Sequence, residues 1–183
     1  MTAPSYPHGV PDRATQLTDA AVRVLADGGS RALTHRAVDA AADLPAGSTS
    51  NVFRTRRALV TAVVDAVLQR DLQRLRALDA QGPRTPGAVA AAFVTATLEE
   101  ARLDVLARAA LALDPDGEEL RRARDRFLLG GDDAAGGVDP AVRRLVVVLV
   151  DGLLLDSALH GAHHDPAVVA LAVDGVLAGA APR

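Results

Sequence analysis

Between Leu33 and Val60 the chain reads LTHRAVDAAADLPAGSTSNVFRTRRALV. Hydroxyls, an amide, an imidazole and guanidinium groups crowd into this stretch, and no carboxylate occurs from Leu44 to Val64. Such a mixture suits a polyanion: small polar groups approach base edges, and arginines neutralise phosphates. Thr34 stands where a helix N-cap is expected, and the free backbone N–H groups of a helix start favour phosphate. Ala46, Gly47, Ser48, Thr49, Ser50 and Asn51 form a segment that is polar, small and free of acids. A Thr cap, a Ser/Thr-rich turn and three arginines (Arg54, Arg56 and Arg57) are also what an ordinary solvated corner contains.

The elements that must position these groups are helical. Met1 to Pro11 is rich in Pro and reads as a flexible arm over 1–11. Asp12 is a plausible N-cap for a first helix with Leu17, Ala21, Val24 and Leu25 at helical spacing. The stretch DGGS over 27–30 stops it. A second helix is expected from about Thr34 to Ala42, burying Ala37, Val38 and Ala41. After the corner Asp43-Leu44-Pro45 a third short helix follows, with Pro45 in its first turn and its end near Phe53. Two short helices at a tight corner, behind a supporting helix, have the proportions of a helix-turn-helix unit, whose second helix enters a major groove.

A fourth helix is expected from about Thr55 to Ala80, then a loop over 81–87. Further helical patterns cover 88–103, 104–113, 116–128, 139–160 and 166–179. The Val-rich run 146–150 taken alone suits a buried strand, but it sits inside a helical pattern opened by Asp139-Pro140. The fold class is therefore all-α. The division expected is an arm over 1–11, a DNA-binding unit over 12–58, and a helical body over 59–183.

The 183 residues suffice for one substantial core. There is no cysteine, which excludes disulfides and thiolate metal sites. No apolar leader occurs at the N-terminus and no run is long enough to span a bilayer, so the expected location is cytoplasmic, with no membrane partner. The net charge of −3 argues against a surface coated for nucleic acid. Residues 1–57 nevertheless carry seven Arg against five Asp, so contact is confined to one end.

The stretch Ala42 to Leu59 resembles the signature of the tetracycline-repressor (TetR) family of bacterial transcriptional regulators. That signature runs Ala-Gly-Val-Ser-x-Gly-Thr-Leu-Tyr-Tyr-His-Phe-x-Ser-Lys-Glu-x-Leu. It holds in register at Ala42, Gly47, Phe53, Ala58 and Leu59, and conservatively at Leu44, Ser48, Thr55 and Arg56. Asp43 replaces the corner glycine, Pro45 replaces a hydroxyl residue, and Thr49 to Val52 replace an aromatic cluster. Aromatic contact with DNA therefore does not carry over. The resemblance implies that Thr34, Ser48 and Arg56, with His35, hold phosphates, and that Arg36 and Asn51 reach base edges. Ala46 and Ser50 lie beside them, Gly47 admits close approach of the backbone, and Phe53 plugs the core. Arg to guanine and Asn to adenine each discriminate by roughly 1–3 kcal/mol.

The resemblance also implies a homodimer on a near-palindromic double-stranded operator, and a small-molecule effector that controls it, as in a repressor. The sequence supports pairing independently. The segment 139–161 is apolar nearly all round, so it needs cover on more than one face. The expected interface comprises Leu145, Val148, Leu149, Gly152, Leu155 and Leu159, with Val169, Val173 and Val176 from the last helix. The same residues would also suit the centre of a monomeric core. Ligand candidates are Phe93, Phe127, Arg102 and Arg108, with Glu99 as a further polar group; so few aromatics make flat stacking a weak mode.

Asp156 and His160 stand four apart, with His163 and His164 close by. This spacing can chelate a metal, but Gly161 and Asp165-Pro166 break the geometry, and a helix end that favours His accounts for it. No metal and no cofactor are expected. The competing reading is a small helical enzyme or ligand carrier whose first helices only resemble a DNA-binding unit. It would need a catalytic constellation, and the carboxylate pairs (Glu99/Glu100, Glu118/Glu119, Asp132/Asp133) look solvated. A family member that activates transcription is a third reading.

Overall fold

A computed structural model describes residues 12–81, 84–112, 114 and 138–179. The described residues form eight helices and no strand: α1 (Arg13–Ala32), α2 (His35–Ala41), α3 (Ser48–Val52), α4 (Arg56–Asp79), α5 (Pro86–Glu100), α6 (Arg102–Ala112), α7 (Pro140–His160) and α8 (Pro166–Gly179). The helix expected over 116–128, Phe127 within it, and the arm lie outside the described residues.

The first helix breaks at Gly29, whose φ of 69° no β-carbon tolerates well, and one further turn carries the chain to Ala32. Asp12 begins α1 by position, but its side chain does not cap; its backbone carbonyl accepts from the Gln16 amide at 3.0 Å. The Oγ1 of Thr34 does cap α2, accepting from the Ala37 amide at 3.1 Å. Asp43 makes the corner with φ 54°, as a short polar side chain can.

Two expectations at this corner are corrected. Pro45 is not in the first turn of α3: Pro45 to Gly47 form a turn, and the helix spans only Ser48 to Val52. Gly47 is the N-cap, at φ 94°, so glycine is required there by backbone geometry. A second correction concerns the loop expected over 81–87. Thr85 already caps α5, accepting from the Ala88 amide at 3.1 Å, and Pro86 opens it.

Leu17, Leu25, Leu33 and Val38 pack with Leu59, Val63 and Val67 of α4 and with Ala107 and Leu111 of α6 in one buried cluster. The core of the first three helices is therefore completed by α4 and α6. A second cluster joins Leu78, Phe93, Val94 and Val105 to Leu154 and Ala158 of α7. At about 36 Å, α4 is long enough to belong to both. The last helix crosses α5 closely: Gly87 lies so near the Ala170 carbonyl that a β-carbon there would stand 2.1 Å from its oxygen. Asp174 locks this crossing, accepting from the Gly87 amide at 2.7 Å and from Thr85 Oγ1 at 2.8 Å.

Candidate nucleic-acid interface and effector cavity

A five-residue helix has no stability of its own. α3 is held by a buried carboxylate on α2. Asp39 Oδ1 accepts from the Thr49 amide at 2.7 Å and from Thr49 Oγ1 at 2.5 Å, and Oδ2 accepts from the Gly47 amide at 2.8 Å. Burial alone would raise the Asp39 pKa. The bonds from Thr49 and Gly47, with His35 nearby, outweigh it and hold the carboxyl below its ordinary value. The sequence analysis missed Asp39. Its signal was an acid set among small apolar residues of a short helix, which needs donors once buried.

His35 ties the two helices from the other side, its Nε2–H donating to the Phe53 carbonyl at 2.6 Å. Arg36, Ala46, Ser50 and Asn51 are exposed on these two helices and their corner. The Oγ of Ser48 donates to the Pro45 carbonyl at 2.7 Å, and that of Ser50 to the Gly47 carbonyl at 3.0 Å. Each hydroxyl has one proton, so a phosphate would have to draw it away.

The body holds a cavity of about 660 Å³ beside α4, bordered by α5, α6 and α7. Leu68, Asp71 and Leu75 of α4 line it, together with Phe93 and Arg108. A chain of ion pairs runs from its wall to the first helix. Arg108 bonds Asp71 Oδ2 at 2.5 Å, and Arg74 bonds Asp71 Oδ1 at 3.0 Å. Arg74 also reaches Asp104 at 3.5 Å, Arg70 bonds the same Asp104 at 2.8 Å, and Arg70 pairs with Asp19 on α1. Burial pushes the Asp71 carboxyl above its ordinary range, against the pull of Arg108 and Arg74.

No family model matches the sequence, and no curated protein matches it. Solved structures do. A member of the TetR family from Streptomyces coelicolor A3, SCO1917, aligns with a TM-score of 0.76 at 24% identity, covering 91% of this chain and 99% of that one. The chain has the TetR fold. The multidrug binding protein EbrR, complexed with imidazole, aligns at 0.72 and 25% identity over 96% of this chain and 97% of its own. EbrR complexed with ethidium aligns at 0.71 and 26% identity, covering 91% and 99%.

Within this TetR fold several expected site residues stand elsewhere than the sequence suggested. Arg56, expected on phosphate, bonds the buried Asp114 at 2.8 Å and the Ser30 carbonyl at 3.1 Å, pinning the start of α4 to the ends of α1 and α6. Phe53 packs against the first core cluster, as expected. Of the ligand candidates, Phe93 and Arg108 line the cavity. Arg102 does not; it donates to the Ala158 carbonyl and clasps α6 to α7. Glu99 is exposed on α5.

On α7, Leu145, Val148 and Leu159 are exposed, while Gly152 and Leu155 border the cavity. Leu149 and Val176 are half-buried. Val169 and Val173 are corrected: both are buried within the subunit, and the large exposed apolar residues of that helix are Val168 and Leu171, the latter 74% exposed. Among the described residues no group of three His, Asp or Glu could hold a metal. Asp156 instead accepts from His160 Nδ1 at 2.9 Å, and His164 Nε2 lies 3.2 Å from its other oxygen. No helix among the described residues is long and apolar enough to cross a membrane.

Proposed function

We propose that this chain is a DNA-binding transcriptional regulator that docks as a homodimer on a near-palindromic operator and lets go when a small organic molecule fills the cavity. The observation that carries the reading is the position of α4. Its first turns complete the core under α2 and α3, and its middle, at Leu68, Asp71 and Leu75, walls the cavity. A ligand that displaces this helix alters the pose of the DNA-facing corner. It weakens DNA binding by as much as it prefers the displaced state.

Pairing follows from the apolar residues left on α7 and α8, with Leu145 60% and Leu171 74% exposed. A twofold pair would set its two heads about 34–36 Å apart, on successive major grooves. Arg36 and Asn51 would read bases, and Thr34 would hold phosphate. EbrR binds ethidium, proflavin and malachite green; by analogy the cavity here takes an organic molecule of drug-like size. Another neighbour, from Rhodococcus sp. Rha1, is a transcriptional regulator, which weighs against the enzyme reading.

The test is selection of genomic fragments by the full-length protein, followed by footprinting at several salt concentrations. The reading expects a protected near-palindrome and an affinity that falls steeply with salt. Uniform, unprotected binding to all fragments, or none at any salt, would refute it.

A further inference from the structure

The effector reading leaves open the charge of what enters the cavity. Both oxygens of Asp71 are already engaged, one by Arg74 at 3.0 Å and the other by Arg108 at 2.5 Å, and the residue is only 4% exposed. With both oxygens held by guanidinium groups, this carboxylate is already matched and offers an arriving cation little. Arg108 is the opposite case. It spends one N–H on Asp71 out of the five a guanidinium carries. Its side chain borders the cavity and is 19% exposed.

The chain Asp19, Arg70, Asp104, Arg74, Asp71, Arg108 alternates in sign and ends, at the cavity, on the cation. Two other charged groups line the space: Arg84, which bonds Gln81, and Asp151 on α7. Asp151 stands on α7 and Arg108 on α6, so a negative head group belongs at Arg108 and away from α7. The rest of the wall is apolar, with Val105, Val147 and Leu155, and Phe93 is the one aromatic among the described lining residues.

We propose, on the footing that this cavity is the effector site, that it takes an amphipathic organic anion, a carboxylate on an apolar body, whose head group bonds Arg108. A carboxylate accepting two N–H groups of Arg108 competes with Asp71 for the same guanidinium. Any loosening there passes through Arg74, Asp104 and Arg70 to Asp19 on α1, which supports the DNA-facing corner.

The experiment is calorimetric titration of the full-length protein with three probes of equal chain length: decanoate, decan-1-ol and decyltrimethylammonium. Decanoate is expected to bind at least roughly tenfold tighter than the other two. Arg108→Gln should weaken decanoate by roughly 10- to 100-fold while decan-1-ol changes by less than about twofold. The double variant Asp71→Asn/Arg108→Gln removes both charges of the pair, so no carboxylate is left without its guanidinium, and should show the same selective loss, which separates lost recognition from a damaged fold. Tighter binding of the ammonium or the alcohol overturns the charge assignment and leaves the effector site standing, as does an Arg108→Gln variant that loses the alcohol equally. Binding of none of the three overturns both.

Discussion

Removing the Asp39 carboxylate should loosen the corner between α2 and α3 more than any surface change near it. Asp39→Ala deletes three hydrogen bonds to a charged acceptor, two of them from the amides that open α3. It also leaves the hydroxyl of Thr49, a fully buried residue, without its acceptor. Loss of a helix cap costs about 0.5–2 kcal/mol, and a hydrogen bond to a charged group is worth about 1.5–3 kcal/mol. These overlap, so the expected total is about 2–4 kcal/mol, or a fall in Tm of roughly 5–15 °C for a chain of this size.

The effect must also depend on pH. The folded pKa of Asp39 lies below the ordinary 3.8, so its contribution is complete above that value and is lost as pH falls through the lower folded one. Urea titrations of wild type and Asp39→Ala from pH 7 to pH 3 measure both quantities. The gap between them should be largest at neutral pH and shrink in acid. A loss under about 0.5 kcal/mol at pH 7, or a gap that does not shrink in acid, would refute the account of how α3 is held.

Gly87→Ala places a methyl 2.1 Å from the Ala170 oxygen, so α5 and α8 must part; a loss of at least about 1–3 kcal/mol is expected in thermal melts. Arg36→Ala and Asn51→Ala should each flatten sequence preference by about 1–3 kcal/mol at one operator position, with little change in non-specific affinity, as read by competition binding. Leu171→Glu, at a residue 74% exposed, should leave the melting temperature of the isolated subunit unchanged and shift sedimentation velocity towards single chains.

The helices were readable because their punctuation is local. Thr34 and Asp139 are caps that act on amides two or three residues away, and Gly161 ends α7 at φ 69°. The start of α3 was misread because Pro45 suits a first helical turn by its φ alone, and its own sequence does not show that Asp39, on the preceding helix, holds the amides of Gly47 and Thr49. Long-range partners set the other departures. Nothing near Arg56 in sequence announces Asp114, and α8 is apolar on so many sides that spacing could not tell Val169, which is buried, from Val168, which meets solvent. Phe93 and Arg108, singled out in the sequence, line the cavity; its wall on α4 was not legible, because Asp71 reads as a solvated acid on a helix dotted with arginines.

The two sides of α7 face different things. Val146, Val147 and Val150 border the cavity, while Leu145 and Val148 lie bare on the outside. A helix is about 10–12 Å across, side chains included. In a pair joined through the bare side, only that thickness would part each bound molecule from the neighbouring subunit. Filling one chamber would then press on the seam itself, so the second chamber would fill more easily or less easily than the first, and the response to rising effector would depart from a simple hyperbola.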